Sequence, residues 1–268
     1  MTSQTAPSGL TVHHLRISQS ERIVWLCEEL GIPYTLKLYN RQKSDMLAPQ
    51  DYRAIHWTGT APVITDNSGG ETIVLAESGA IMEYILNSPK YNKHRRLVVP
   101  AASTKHYADY VFWFHHANAG FQSTLMALMV AKYAQLPEDS FLRKAMARRF
   151  DADLRGLEAQ LTRTDYLAGN ELTAPDIMIF FSLTTMRAFI PFYLSPYPHI
   201  VAYLERVGKR DAYRRAMQKA EPGFSPVLAA KIYVRALYTF TYRARETTKL
   251  DRKFATLESV QTTKHDHS

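Results

Sequence analysis

The chain has 268 residues, 46% hydrophobic and 22% charged, with a formal net charge of +8. That length suffices for one large or two small packed domains. No apolar run approaches the roughly 20 residues that cross a bilayer, and Met1 to Gly9 lacks the basic and apolar regions of a secretory signal, so a cytoplasmic protein is expected.

A single cysteine, Cys27, excludes an internal disulfide and any multi-cysteine metal site. Half of the positive excess falls in residues 225–268, so the basic balance does not mark the core as a nucleic-acid surface.

After a disordered start over residues 1–10, Thr11 to Leu15 reads as a strand. A helix follows, with Ile23, Leu26, Cys27 and Leu30 at i, i+3, i+4 and i+7 and Gly31 placed to end it. Cys27 lies on this inward stripe and reads as a small core residue. Ser18-Gln19-Ser20-Glu21 has the spacing of a capping box.

Tyr34 to Tyr39 is the next strand, and Pro49 to Ile55 a short irregular helix. Thr60 to Thr65 and Thr72 to Leu75 flank the turn Asn67-Ser68-Gly69-Gly70 and form a hairpin. The order strand, helix, strand, helix, hairpin, helix is the thioredoxin-like arrangement, an α/β domain with a four-stranded mixed sheet. Leu75-Ala76-Glu77-Ser78-Gly79-Ala80 joins the last strand to a helix start. Unpaired amides and the positive dipole end there suit a small carboxylate at Ser78, with Glu77 beside it for an ammonium; the alternative is a plain N-cap and a surface acid.

Four stretches in this order resemble the N-terminal domain of cytosolic glutathione transferases, particularly the fungal and bacterial serine-type group related to the yeast enzymes. They are Ser18 to Leu26, Glu29 to Tyr34, Thr60-Ala61-Pro62-Val63 and Glu77 to Ile81. The resemblance implies a cis Pro62. Ala61, where most relatives carry Val, would pair its backbone with the cysteinyl unit of glutathione, next to Thr60, while Glu77 and Ser78 hold the γ-glutamyl head. Ser18 would be catalytic, its hydroxyl stabilising the glutathione thiolate. Ser20 is its rival, but on a helix two residues turn about 200° apart, so both would not face one sulfur. The glycine carboxylate needs a cation, and Arg41, Lys43, Arg53 and His56 are the candidates, with Arg41 taken into the binding set.

Residues 90–102 read as a linker between the domain of residues 11–89 and an all-helical domain of residues 103–224. Helical patterns run over Ser103 to Tyr133, Asp139 to Leu161, Pro175 to Phe189, Pro198 to Lys209 and Asp211 to Ala220. Tyr166 to Ile177 resembles the family's C-domain signature, in which Thr173 caps a helix, Pro175 sits in its first turn and Asp176 closes a capping box. Tyr107, Tyr110, Phe114 and Asn118 recur on one helical face, as a pocket for a flat apolar electrophile or as bundle core. His115 and His116 point about 100° apart with no third ligand, so no metal site is assigned. A helix is expected from Pro226 to about Arg245, packed on the domain, covering the pocket, joining a dimer contact or resting on an acidic membrane surface.

The family implies a homodimeric, detoxifying transferase with glutathione as co-substrate and a small hydrophobic electrophile as partner. A glutathione-binding regulator, or an isomerase or peroxidase built on the same site, is the alternative. A glutaredoxin-like exchange would need a cysteine near position 18, and there is none.

Overall fold

A computed structural model describes residues 9–231. Four strands, β1 (Leu10–Leu15), β2 (Thr35–Tyr39), β3 (Val63–Asp66) and β4 (Ile73–Ala76), form one sheet in the order β2-β1-β3-β4. β2 runs parallel to β1, and β3 and β4 run antiparallel to their neighbours. Strand alternation divides the buried residues between two faces. Leu10, Val12 and Ile64 join the main core, while Leu15, Tyr39, Val63 and Ala76 pack with Tyr52 of α2 (Gln50–Arg53) on the other side.

α1 (Glu21–Leu30) lies between the sheet, α3 (Ser78–Asn87), α7 (Ala174–Leu183) and α9 (Asp211–Ala220). Its apolar stripe is therefore not its only buried face: Glu21, Arg22, Val24 and Trp25 are buried as well. Trp25 packs edge-on against Tyr213 and tilted against Phe180, with ring centroids 5.0 and 5.4 Å away. Gly31 ends the helix in the left-handed region at φ 69°, and Cys27 is fully buried as expected.

The capping box at Ser18 does not form. α1 begins at Glu21, and its capping residue Ser20 makes no side-chain cap. Ile17, at φ 53°, turns the preceding loop sharply, so Ser18 sits outside the first helical turn and its hydroxyl faces back toward β1.

No helix or strand is formed between α3 and α4 (Thr104–His116); there the buried Asn92 donates to the carbonyls of Leu86 and Arg96. α4 continues through a π-helical turn, Ala117–Gln122, into α5 (Ser123–Tyr133). α6 (Phe141–Leu161), α7, α8 (Pro198–Gly208) and α9 complete the helical region. At the start of α7 the capping box is present, with Asp176 accepting from the Thr173 amide at 2.8 Å and from Leu167 and Tyr203.

The helix expected from Pro175 to Phe189 is instead split at Thr184 (φ −124°, ψ −87°), and a 3₁₀ turn, Thr185–Ala188, follows. The break turns Arg187 inward, where it donates to the carbonyls of Phe192, Ala229 and Ala230. Residues Pro226 to Lys231 run without helix, contrary to the sequence reading, because Arg187 and the Leu194 amide take their carbonyls from outside the segment. The remainder of that expected helix, and residues 1–8, lie outside the described residues.

Candidate active site

The loop from Arg16 to Ser20 leaves β1 and enters α1, and it is held from both sides. Arg41 donates to the carbonyls of Arg16 (3.0 Å) and Ile17 (2.9 Å), while Glu221, just beyond α9, accepts the Ile17 N–H. The Ser18 hydroxyl is 2.6 Å from the Leu15 carbonyl and 2.7 Å from Ser20 Oγ, and its oxygen accepts the Ser20 N–H at 3.2 Å. Helix geometry does not separate the two serines, because neither lies in the helix; they touch.

One residue on, Gln19 joins the loop to the hairpin. Its Nε2 donates to the Ala61 carbonyl at 2.8 Å, and the Ala61–Pro62 bond is cis. Its Oε1 accepts from Arg22 Nη1 (3.0 Å) and from Gln122 Nε2 (2.9 Å). Arg22 also donates to Asn118 Oδ1 and Gln122 Oε1, both at 2.8 Å, and to Ser78 Oγ at 3.3 Å. The π-helical turn presents Asn118 and Gln122 to the same guanidinium. Within that turn Gly120 lies against His116, where a Cβ would collide with the imidazole at 2.1 Å.

Arg22 is the member of this cluster that sequence reasoning missed. It is 1% exposed, its partners are neutral oxygens, and Nε has none among the described residues. Burial pushes the adjacent Glu21 carboxyl up to about 8, although it accepts a hydrogen bond from the Thr185 hydroxyl. Burial also lowers Arg22, to about 9, against the opposing field of Glu21, and the oxygens hydrogen-bonded to its guanidinium are all neutral ones. The charge stands directly behind Ser78, the first residue of α3, where the helix dipole is positive as well.

Glu77 precedes Ser78 with φ 77°, an unfavourable conformation for a residue with a side chain, costing of order 1–3 kcal/mol. Its side chain is exposed while Ser78 is buried, so an acid and a hydroxyl stand side by side at the helix start. Phe114 is buried, and a Cβ on Gly79 would lie 3.8 Å from its ring. Tyr107, Tyr110 and Phe114 stack in sequence, with centroids 6.5 and 6.0 Å apart, and Tyr107 is 38% exposed. The stripe is thus core at Phe114 and open at Tyr107, whereas Asn118 belongs to the Arg22 cluster.

Thr60 is exposed and bonded to Thr58, and His56 also turns to Thr58. Lys43 and Arg53 are exposed. Arg41 spends donors on three carbonyls, the third being that of Met46, and so acts here as a brace for the Ser18 loop.

Residues 18–87 match the family model for the glutathione S-transferase N-terminal domain, and residues 124–211 that for the C-terminal domain. Glutathione S-transferase 3 of Schizosaccharomyces pombe is 27% identical over 79% of this chain and 88% of its own. Glutathione S-transferase 1 of Saccharomyces cerevisiae is 24% identical over 79% and 95%. The crystal structure of a glutathione S-transferase from Actinobacillus pleuropneumoniae is 30% identical and superposes with a TM-score of 0.70, covering 85% of this chain and 99% of that one. Sheet order, cis Ala61–Pro62 bond, helical region and these matches agree: the chain belongs to the glutathione S-transferase superfamily.

Proposed function

We propose that this cleft binds glutathione and transfers its thiolate to a small apolar electrophile. The observation that carries the reading is the buried Arg22 guanidinium donating to Ser78, with the exposed Glu77 beside it. Such a corner matches an α-amino acid, with carboxylate toward Ser78 and ammonium toward Glu77. Because Arg22 donates to Ser78 Oγ, the serine proton is free to point at the ligand.

From that head the tripeptide runs antiparallel to the strand edge before Pro62, where the Ala61 backbone pairs with the cysteinyl unit and Thr60 flanks it. The Gln19 amide now on the Ala61 carbonyl shares that oxygen's second lone pair or yields to the ligand. The sulfur then reaches Ser18. A hydroxyl hydrogen bond favours thiolate over thiol, and one pKa unit of lowering is worth about 1.4 kcal/mol. Attack forms the sulfur–carbon bond as the electrophile's leaving group departs, and the thiol proton passes to solvent. The open end of the aromatic stripe, Tyr107 and Tyr110, receives the electrophile.

We also propose a homodimer in the cytoplasm. Trp57, after α2, is 90% exposed, and α4 and α5 expose Phe112, Val130 and Tyr133, an apolar surface that a second copy would cover. No helix among the described residues is long and apolar enough to cross a membrane.

The test is conjugation of glutathione to an activated aryl halide. Wild type should turn over, and Ser18→Ala should lose about tenfold or more in kcat/KM, as a thiol pKa raised by about one unit requires. Glutathione binding without turnover by wild type would instead indicate the regulatory alternative.

A further inference from the structure

The Gln19 side chain spans three elements at the mouth of the cleft. Its Nε2 donates to the Ala61 carbonyl at 2.8 Å, and its Oε1 accepts from Arg22 Nη1 at 3.0 Å and from Gln122 Nε2 at 2.9 Å. The partners fix which way the amide points. A guanidinium only donates and a backbone carbonyl only accepts, so Oε1 must face Arg22 and Nε2 must face Ala61. Gln122 is oriented by the same logic, because Arg22 Nη2 takes its Oε1 at 2.8 Å and leaves its Nε2 for Gln19.

Oε1 of Gln19 thus carries a donor on each lone pair, one of them from a guanidinium. Moving Nε2 off Ala61 would strain both bonds, so Gln19 shares the carbonyl with a ligand and does not yield it. The consequence lies at Ala61, which is half-buried and whose carbonyl takes no other hydrogen bond among the described residues. An oxygen with one lone pair occupied by a fixed donor presents the other in a set direction.

We propose that Gln19 is a positioning residue that sets specificity: it aims the Ala61 carbonyl at the cysteinyl N–H of glutathione, and the site thereby selects ligands that carry an amide proton at that point. Arg22 belongs to α1 and Gln122 to the π-helical turn, so the strand edge takes its alignment from the helices as well as from its own hairpin. The inference rests on the cysteinyl unit pairing with Ala61, as proposed above.

The experiment is calorimetric titration with S-methylglutathione and with its ester analogue, in which an oxygen replaces the cysteinyl N–H. Neither ligand has a free thiol, so the Ser18 chemistry plays no part. It compares wild type, Gln19→Ala and Gln19→Glu; the second keeps an oxygen for Arg22 and Gln122 and puts another where Nε2 met Ala61. Wild type should bind the ester about tenfold more weakly, the effect of one net hydrogen bond, and each variant should bind the two ligands within about threefold of one another. A merely structural role would weaken both ligands alike. Variants that keep the tenfold ratio, or that lose both ligands together, therefore overturn the role of Gln19 while the pairing at Ala61 stands. A wild type that binds the two ligands equally, or binds neither, removes the Ala61 pairing and this inference together.

Discussion

Arg22→Met offers the sharpest perturbation of the ligand corner. Three of the arginine's contacts, at 3.0, 2.8 and 2.8 Å, are charge-assisted bonds to amide oxygens, each worth about 1.5–3 kcal/mol. Against that loss, methionine removes the cost of burying a cation, and Gln19 Oε1 keeps its bond from Gln122. A net destabilisation of about 2–4 kcal/mol follows, read by equilibrium urea unfolding.

Binding carries a separate signature. A carboxylate on the far side of Ser78 lies about 5–6 Å from the guanidinium, where two charges interact by about 3 kcal/mol at an effective dielectric near 20. Calorimetry under conditions where the variant is folded should therefore show glutathione bound roughly 100-fold more weakly. Arg22→Lys, which keeps the charge but not the fork, should fall between. A folded Arg22→Met protein that binds glutathione as wild type does would refute the assignment of the γ-glutamyl carboxylate to this corner.

Three further outcomes follow from the same geometry. Glu21 has a folded pKa near 8 against an ordinary 4.5, so its contribution to stability is full below about pH 4.5 and is lost as pH rises through 8; Glu21→Gln should flatten that decline in urea titrations at successive pH values. Glu29 accepts from Arg210 at 2.8 and 2.9 Å and from Trp25 Nε1 at 3.0 Å, with Arg210 partly exposed, so Glu29→Ala should cost about 2–3 kcal/mol of unfolding free energy. Trp57→Ala should shift sedimentation toward monomer at micromolar concentration, and an unchanged dimer would exclude that side chain from the contact.

Local patterns made most of the fold legible. The strands, the Gly31 stop and the Thr173–Asp176 box all depend on neighbours within a few residues, and each is present, with the strand expected from Thr60 beginning only at Val63. What escaped was set by distant partners. Ser18-x-x-Glu21 is a sound local capping pattern, but burial of Glu21 against Thr185 and the turn at Ile17 override it. Arg22 lies off the apolar stripe of α1, but so do Val24 and Trp25, a sign that α1 is buried on more than one face. Nothing local to His14 announces Glu221, because the contact exists only once α9 docks against α1. Arg41 was selected for its charge, whereas three carbonyls claim it in the fold.

A crystal structure of the glutathione complex tests the mechanism most directly. The account requires the sulfur within hydrogen-bond distance of Ser18 Oγ, with the γ-glutamyl carboxylate on Ser78 and the cysteinyl backbone paired to Ala61. A sulfur lying beyond reach of any hydroxyl, or a tripeptide bound away from Ser78, would contradict it.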